Sequence, residues 1–313
     1  MPDATISAII TSYNCAEYIG DAIESVLAQS HPVDEVVVID DGSKDDIAAI
    51  VKRYPSVRFI QQENQGPAAA RNRGISETSG DYVTFLDCDD IWQPEKTARQ
   101  LAYLTENQDV VMVSGGKIWW DTELDKRHDF VFSEKQRMNA QYEILFRNCI
   151  GNPSMVMIRR IALEDIGGFD TRYPWGQDWE LWIRMVEYGR VGYLPDHVII
   201  YRWHPSNLSQ RGNAIARYNC MHDISRTSIR RILPLWKRPL AYMRSLSIKQ
   251  LRLSELAAKH GNRQAAFRHA SVALIVYPFD SFTRKLKGLG RSIIGKSQYK
   301  FVVRQFFQNR QSS

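Results

Sequence analysis

The chain has 313 residues, of which 44% are hydrophobic and 24% charged, a composition typical of a folded globular protein and not of a disordered one. The formal net charge of +6 conceals a division: residues 1–210 carry 20 basic and 32 acidic side chains, whereas residues 211–313 carry 21 basic and 3 acidic ones. So strong an asymmetry predicts two domains with different tasks, one at 1–210 and one at 211–313.

Neither terminal region carries a membrane signal. The N-terminus has no basic segment ahead of its apolar stretch, which favours a strand over a signal peptide. The apolar stretch at 270–279 is far shorter than the ~20 residues that span a bilayer. Four cysteines are scattered along the sequence, namely Cys15, Cys88, Cys149 and Cys220. Their spacing matches neither a metal-ligand set nor a disulfide framework. We therefore expect a protein of the reducing cytoplasm.

Strand and helix patterns alternate along the first 90 residues. Runs rich in β-branched residues predict four strands, at 5–11, at 34–43 where the strand ends in a turn, at 57–62 and at 81–86. Apolar residues at helical spacing predict three intervening helices, at 17–30, 44–54 and 67–78. Such alternation predicts an α/β fold with a mostly parallel sheet and helices on both faces.

The remainder of the chain is first mixed and then helical. Further strands are predicted at 110–120, 153–160, 190–195 and 197–203, and further helices near 139–148, at 161–167 and at 177–189. Past residue 210, the segment 248–274 predicts two amphipathic helices joined at "HGN", similar to one helix-turn-helix repeat unit. We therefore expect a basic α-helical region after the α/β domain.

Polar residues follow each of the first four strands. The sequences are "TSYN" after the first, "DDGS" after the second, "QENQG" after the third and "DCDD" after the fourth. In open α/β sheets, ligands bind in the crevice beyond the carboxyl ends of the strands. These four segments are therefore predicted to line one ligand-binding rim.

The fourth strand ends in three acids within four positions, Asp87, Asp89 and Asp90. Side chains two apart on an extended segment point to one side, so Asp87 and Asp89 can converge on one cation. Mg²⁺ and Mn²⁺ prefer oxygen ligands and are often held by one or two carboxylates together with substrate phosphates. A solvated turn is the alternative, but the position at the rim of an α/β sheet favours a divalent metal site.

Four other residues of the rim could contact a ligand, and three of them also allow a purely structural interpretation. Asp40 could accept a hydrogen bond from a nucleobase or belong to an ordinary turn. Tyr13 could stack on a base or cover the sheet edge. Gly66 would let the backbone approach a ligand, and Arg71 could contact a base or phosphate or be a surface arginine.

Taken together, the pattern "TSYN…DDGS…ARN.G…LDCDD.W" resembles the nucleotide-sugar-binding half of family-2 glycosyltransferases, inverting enzymes with the GT-A fold. The likeness runs from Ile6 to Trp92 and continues through 167–184 and 201–209. It implies transfer of a sugar, which we expect to come from a UDP-sugar, to a hydroxyl of a saccharide or lipid-linked acceptor. It also implies a place in bacterial cell-surface polysaccharide or glycolipid synthesis.

The resemblance also implies roles for individual residues. The nucleotide-binding residues would be Thr11, Tyr13, Asp40, Gly66, Arg71 and Asp87. Asp89 would be the main protein ligand of Mn²⁺ or Mg²⁺, and His204 would lie near the metal or the diphosphate. Asp178 matches the general base, with Glu180 as the rival, and a carboxylate is suited to take the proton of an attacking hydroxyl.

Other classes of protein fit the sequence less well. A nucleotidyltransferase would be expected to carry a Gly-rich triphosphate loop where this chain has "TSYN", and a dinucleotide dehydrogenase would need a G-x-G-x-x-G after a strand. An inactive nucleotide-sugar-binding or scaffold protein stays open, although the presence of both Asp89 and Asp178 argues against it. The donor sugar, the acceptor and the linkage are not specified.

The basic C-terminal region lacks recognisable nucleic-acid readout modules, so we expect no nucleic-acid partner. Its segments 234–246 and 282–295 mix bulky apolar and basic residues, as interfacial segments do. This predicts docking on an anionic membrane leaflet at the cytoplasmic side. The alternatives are helices that cover the acidic first domain or form a homodimer interface.

Overall fold

A computed structural model describes residues 4–133, 140–205, 207 and 212–278. The chain divides into two compact units, Met1–Arg211 and Gly212–Ser313. The predicted interfacial segment 282–295 lies outside the described residues. Within the described part of the chain, every helix is too short or too polar to cross a membrane.

Within the described residues, nine strands of the first unit form one sheet. They are β1 (Ile6–Ser12), β2 (Glu35–Asp40), β3 (Val57–Gln61), β4 (Tyr82–Asp87), β5 (Ile91–Trp92), β6 (Val110–Asp121), β7 (Lys126–Phe130), β8 (Val156–Arg159) and β9 (Arg190–Trp203). The sheet order is β3-β2-β1-β4-β8-β6-β9-β5, with β7 paired to β6.

The N-terminal half of the sheet is parallel, and the rest is mixed. Strands β3, β2, β1 and β4 run parallel, whereas β8 pairs antiparallel with both β4 and β6. Every residue of β1 is buried, as expected for a central parallel strand that is covered on both faces. Because β2 lies on one side of β1 and β4 on the other, the chain changes direction across the sheet between them. A crevice at the carboxyl ends of β1 and β4 follows from this order.

Seven helices accompany the sheet in the described part of the first unit. They are α1 (Ile19–Leu27), α2 (Ile47–Val51), α3 (Pro67–Ser76), α4 (Lys96–Glu106), α5 (Ala140–Glu143), α6 (Arg160–Ile166) and α7 (Gln177–Tyr188). Helix α3 packs so closely on β1 that a Cβ at Gly74 would lie 2.3 Å from Cγ2 of Ile9. A glycine at this position is what lets α3 lie against the sheet and present its N-terminus at the rim.

Three predicted elements differ from the structure. The helix near 139–148 is helical only at Ala140–Glu143, after which Asn148 accepts the backbone N–H groups of Ile150 and Gly151 in a turn. The strand at 153–160 is shortened to β8 by a 3₁₀ turn that begins at Pro153. The short strands β5 and β7 were not predicted.

The predicted strand pair at 190–195 and 197–203 is one strand, β9, whose pairing with β6 is irregular. Tyr193 pairs with Ser114 and His197 with Gly116, so three residues of β9 stand opposite a single residue of β6. The extra residues include Pro195, which has no N–H to donate to the ladder. The bulge therefore accounts for the apparent break in the sequence pattern.

The described part of the second unit is helical, as predicted. It contains α8 (Ala214–Ile232), α9 (Arg238–Lys259) and α10 (Arg263–Val276). Asn213 accepts the first backbone N–H groups of α8, and Asn262 accepts the N–H of Ala265 in α10. The two helices predicted on either side of "HGN" are α9 and α10, and α9 begins ten residues earlier than the sequence pattern indicated.

Candidate active site

The carboxyl ends of β1 and β4 place Thr11 beside Asp87. The two residues are register partners in the parallel pair, and Thr11 Oγ1 lies 3.4 Å from Asp87 Oδ1. The backbone N–H of Asp87 donates to Ser154 Oγ at 3.0 Å, which ties the end of β4 to the turn before β8. The crevice predicted from strand order is thus lined by two of the predicted nucleotide-binding residues.

Helix α3 brings Arg71 into the same crevice. Its side chain is buried, and Nη2 donates to Asp87 Oδ1 at 2.6 Å, while the guanidinium carbon lies 5.4 Å from the centroid of the Phe169 ring. Among the described residues, neither Nε nor Nη1 of Arg71 has a hydrogen-bond acceptor. Buried N–H donors without a partner are costly, and a ligand oxygen would satisfy them. The surface-arginine interpretation of Arg71 is therefore wrong.

Asp89 contacts His204, which lies 115 positions later in the sequence. His204 Nε2 lies 3.2 Å from Asp89 Oδ2, and Asn207 Nδ2 donates to the same carboxylate oxygen at 2.8 Å. The side-chain oxygen Oδ1 of Asn207 accepts the backbone N–H of His204 at 2.7 Å, and this bond closes the turn that carries the imidazole. Asn207 was not predicted, although its place three residues after the histidine in "HPSN" is a turn signal.

The pair Asp89 and His204 fits a cation that is only partly coordinated by protein. Ligand atoms about 2.1 Å from an octahedral ion stand about 3 Å apart at adjacent positions, which is close to the observed 3.2 Å. In the described part of the chain, no group of three or more His, Cys, Asp or Glu side chains could hold a metal. Substrate phosphate oxygens would therefore have to complete the shell, as is usual for Mg²⁺.

Asp90, the third acid of the cluster, points into the protein. It is fully buried, and Oδ2 accepts a 2.7 Å hydrogen bond from Asn152 Nδ2. Burial raises its pKa well above the ordinary value, and the charges of Asp89 and Asp87 raise it further. The like charges of the cluster are thus relieved by placing one carboxyl where its neutral form is favoured.

The second strand ends in two buried acids that organise the neighbouring loops. Asp40 accepts from Ser12 Oγ at 3.3 Å, from Gln61 Nε2 at 2.9 Å, and from both the backbone N–H and the hydroxyl of Ser43. Protein donors thus reach both carboxylate oxygens of Asp40. Its role in reading a base stays a prediction.

Asp41, which was not predicted as a site residue, holds the residues that immediately precede α3. Its carboxylate accepts the backbone N–H groups of Gln65 at 2.9 Å and Gly66 at 2.8 Å. Gly66 has φ +88°, a left-handed conformation that favours glycine, and a Cβ there would meet nothing within 4 Å. The structure therefore leaves open space beside this predicted nucleotide-binding residue.

Tyr13 lies at the mouth of the same crevice. Its ring is 40% exposed, and the next residue, Asn14, adopts φ +52° with its side chain accepting the backbone N–H of Lys44. An exposed ring at the end of β1 is free to stack on a base, which stays a prediction.

Asp178 is the second residue of helix α7, which begins after Gly176 in a left-handed conformation. The side chain is half-buried, and Oδ2 accepts from Asn148 Nδ2 at 3.1 Å. Burial raises the pKa of the carboxyl; the charge of Arg71 opposes that rise and the charge of Asp87 adds to it. These interactions place Asp178 near the Arg71–Asp87 ion pair. A half-buried carboxylate with a raised pKa is suited to general-base catalysis.

Glu180, the rival base, is engaged elsewhere. It is buried, and both oxygens accept from Arg184 at 2.7–3.0 Å, while Arg184 also donates to the carbonyls of Ile166 and Gly168. The ion pair lies within α7, and the bonds from Arg184 to the two carbonyls join α7 to the end of α6. The geometry therefore favours Asp178 over Glu180 as the base.

Lys117 is a further cation near the site that the sequence did not reveal. Its ammonium lies 4.3 Å from the centroid of the Tyr201 ring. Burial lowers its pKa, whereas the charges of Asp90 and Asp178 raise it. Lys117 therefore sits where it can stabilise negative charge on either carboxyl.

The cysteine prediction is wrong at one pair. Cys15, just after Tyr13 and Asn14, forms a disulfide with Cys88, between Asp87 and Asp89. The two residues are 73 apart in sequence, and the adjacency of β1 and β4 brings them together. Sequence spacing could not show this pairing, because it depends on which strands are neighbours.

Comparison with known proteins bears on the family of this chain. The model of "Glycosyl transferase family 2" matches residues 7–167. A putative teichuronic acid biosynthesis glycosyltransferase, TuaG of Bacillus subtilis, is 32% identical over 195 residues, which are 60% of this chain and 74% of that protein. An uncharacterized glycosyltransferase of Rickettsia felis is 34% identical over 194 residues, 61% of this chain; the chain spans only 31% of that longer relative.

Solved structures share the fold. S. aureus TarS 1-349 in complex with UDP-GlcNAc has a TM-score of 0.65 at 17% identity, over 95% of this chain and 92% of that one. The complex with UDP has a TM-score of 0.61 at 16% identity, over 93% and 92%. The expected GT-A-type α/β fold with a helical C-terminal region is confirmed. The family model matches residues 7–167, just over half of this chain, and the chain therefore belongs to glycosyl transferase family 2.

Proposed function

We propose that the protein is a metal-dependent, inverting glycosyltransferase that moves a sugar from a UDP-sugar to an acceptor hydroxyl. The observation that carries this proposal is the pair of carboxylates with separate surroundings. Asp89 faces His204 at 3.2 Å, whereas Asp178 is half-buried at the start of α7 with a raised pKa. One displacement at the anomeric carbon needs this division, with one carboxylate to hold a cation and another to accept a proton.

Several residues of the crevice would hold the donor. Thr11 and Tyr13 would hold the base, and two buried nitrogens of Arg71 would donate to a ligand oxygen. Asp89 and His204 would hold the divalent cation, which when bound would neutralise charge on the departing diphosphate. The choice of UDP is supported by the fold shared with TarS, whose structures contain UDP and UDP-GlcNAc.

Asp178 would act on the acceptor. In its ionised form it accepts the proton of the attacking hydroxyl, and Lys117 and Arg71 provide positive charge nearby. Attack on the face of the sugar opposite the leaving diphosphate inverts the anomeric carbon. The similarity to TuaG supports an acceptor in a cell-surface polysaccharide or a glycolipid.

We also propose that the second unit docks on an anionic membrane at the cytoplasmic side, where a lipid-linked acceptor would be found. Residues 211–313 carry 21 basic and 3 acidic side chains. Leu235 and Trp236, just before α9, are each 76% exposed, with the ammonium of Lys237 4.8 Å from the Trp236 ring centroid. Exposed apolar side chains beside cations suit the interface of an anionic leaflet.

The test of the enzymatic proposal is a binding and transfer panel. UDP-, GDP- and dTDP-sugars are titrated by calorimetry with and without Mn²⁺, and the anomeric configuration of the transferred sugar is read by NMR. We expect a UDP-sugar to bind tightest, and more tightly with Mn²⁺ than without it. Binding of a UDP-sugar without hydrolysis or transfer to any saccharide or lipid-linked acceptor would favour a binding protein instead.

The test of the docking proposal is flotation with vesicles. Wild type should float with vesicles that contain phosphatidylglycerol and not with pure phosphatidylcholine, and added salt should release it. Replacing Leu235 and Trp236 together by Ser should abolish flotation, whereas Ile275→Ser, an equally exposed residue on α10, should not. A variant that floats normally but changes from dimer to monomer would mark the surface as a dimer interface.

A further inference from the structure

The disulfide belongs to a closed chain of contacts that includes the proposed metal ligands. Cys88 is covalently followed by Asp89, and Asp89 Oδ2 lies 3.2 Å from His204 Nε2. The imidazole of His204 stacks on the ring of Tyr18, with centroids 4.8 Å apart. The backbone N–H of Tyr18 donates to the carbonyl of Cys15 at 2.9 Å, so the series of contacts returns to the disulfide.

We infer that Cys15 and Cys88 form a redox-sensitive pair that controls how firmly the chain holds its divalent cation. The bond joins the loop after β1 to the turn after β4, so each side of the cation site is fixed relative to the other. With the bond broken, no covalent link joins the turn that carries Asp89 to the loop after β1. The noncovalent contacts that remain are the hydrogen bond from the Cys88 N–H to the Thr11 carbonyl, the contact of Asp89 with His204 and the stacking of His204 on Tyr18. This inference rests on the proposed function, because it assigns the cation to Asp89 and His204.

The chemistry requires a two-electron oxidant such as hydrogen peroxide. The two thiols give up two electrons and two protons, one S–S bond forms, and the O–O bond of the peroxide breaks to yield two water molecules. A phosphine or dithiol reductant reverses the step. Both cysteines are 8% exposed, so the bond is partly protected in the folded protein.

The remaining cysteines provide matched controls. Cys149 is buried, with its pKa raised to about 11 mainly by burial, and Cys220 is half-buried in α8. Neither is part of a disulfide. A change seen with Cys15→Ser but absent with Cys220→Ser would therefore come from the bond and not from the general loss of a thiol.

The experiment has two readouts. Peptide mapping by mass spectrometry, after alkylation without reductant, should recover a Cys15–Cys88 linked peptide from peroxide-treated protein. Binding of Mn²⁺ alone, and of Mn²⁺ with UDP, is then measured by electron paramagnetic resonance and calorimetry on oxidised protein and on reduced, desalted protein. We expect reduction to weaken both by roughly tenfold, a loss typical of ligands that become poorly oriented.

The variants complete the test. Cys15→Ser and Cys88→Ser should bind Mn²⁺ as weakly as reduced wild type and should not respond to reductant, while Cys220→Ser should respond as wild type does. Free thiols at both positions after peroxide treatment, or equal Mn²⁺ affinity in both redox states, would overturn the inference. Oxidised protein that binds Mn²⁺ but no nucleotide-sugar would instead contradict the proposed function and leave the redox effect measurable.

Discussion

Arg71 Nη2 lies 2.6 Å from Asp87 Oδ1, and this partly buried ion pair joins helix α3 to the end of β4. In the part of the chain that the structure describes, the other two nitrogens of Arg71 have no hydrogen-bond partner. Arg71 therefore has a structural role, and it also has N–H groups that a ligand could use. Two substitutions at this position test the structural role and the binding role separately.

Arg71→Ala should destabilise the fold by about 2 kcal/mol, because a charged hydrogen bond is lost and Asp87 stays behind. Arg71→Lys should keep much of the stability but weaken UDP-sugar binding at least tenfold, since an ammonium cannot replace the guanidinium fork. Urea denaturation and calorimetry measure the two effects. Arg73→Ala, which removes an exposed pair with Glu77 on the same helix, is the control and should change neither appreciably.

Asp89→Asn and His204→Gln should each weaken Mn²⁺-dependent nucleotide binding by about 10–100-fold. Binding measured in EDTA should be unchanged, because neither residue is assigned to the base or ribose. His197→Gln is the matched control, because His197 lies on β9, the strand that ends just before His204, and faces Asp129. If the two variants lost affinity equally with and without Mn²⁺, the assignment to the metal would be wrong.

Asp178→Asn should leave donor binding near normal and lower kcat by roughly 100–10,000-fold, the usual contribution of a general base. Its thermal stability should not fall at neutral pH, because the fold raises the pKa of Asp178 and so disfavours the charged form. Glu180→Gln should show the reverse, a loss of stability through the Arg184 pair with little direct effect on chemistry. Rates and melting temperatures that follow one another in both variants would contradict the separation of roles.

The pH dependence of kcat/KM should report Asp178. A base must be ionised, so activity should be full above the raised pKa and fall as the pH drops through it. The acidic limb should therefore lie above the ordinary aspartate value of about 3.9. Donor binding followed over the same pH range separates this limb from any protonation of Asp89.

Gly66→Ala and Gly261→Ala form a matched pair. Both glycines have positive φ, +88° and +74°, and in both cases a Cβ would meet nothing within 4 Å. Each substitution should cost at least about 1 kcal/mol of stability through backbone strain. Only Gly66→Ala should also weaken nucleotide binding, because it lies in the crevice at the start of α3. Equal binding by both variants would remove Gly66 from the site.

The arrangement of strands β1 to β4 could be predicted from the sequence, because these strands follow from local patterns. Strands β1 to β4 and the polar residues at their ends follow from apolar runs and turn residues, and parallel pairing then brings Thr11 and Asp87 together. The disulfide, the buried state of Asp90 and the position of Lys117 depend on distant parts of the chain meeting. No local pattern distinguishes such residues from ordinary surface or turn residues.

The bulge in β9 shows the same limit on a smaller scale. Pro195 interrupts the alternation, and the sequence alone suggests two strands. The long partner β6 keeps one strand continuous across the interruption. Tertiary pairing here overrides a local break signal.

Asp89 and His204 are 115 positions apart in the sequence, and this separation affects how the site forms during synthesis on the ribosome. The pairs among strands β1 to β4 join residues at most 76 apart in sequence, whereas the contact across 115 residues needs most of the first unit to have emerged. A nascent chain arrested before residue 204 would thus carry the strands with the proposed base-binding residues but lack His204, one of the two proposed cation ligands. Newly made protein should gain affinity for UDP first and for manganese last.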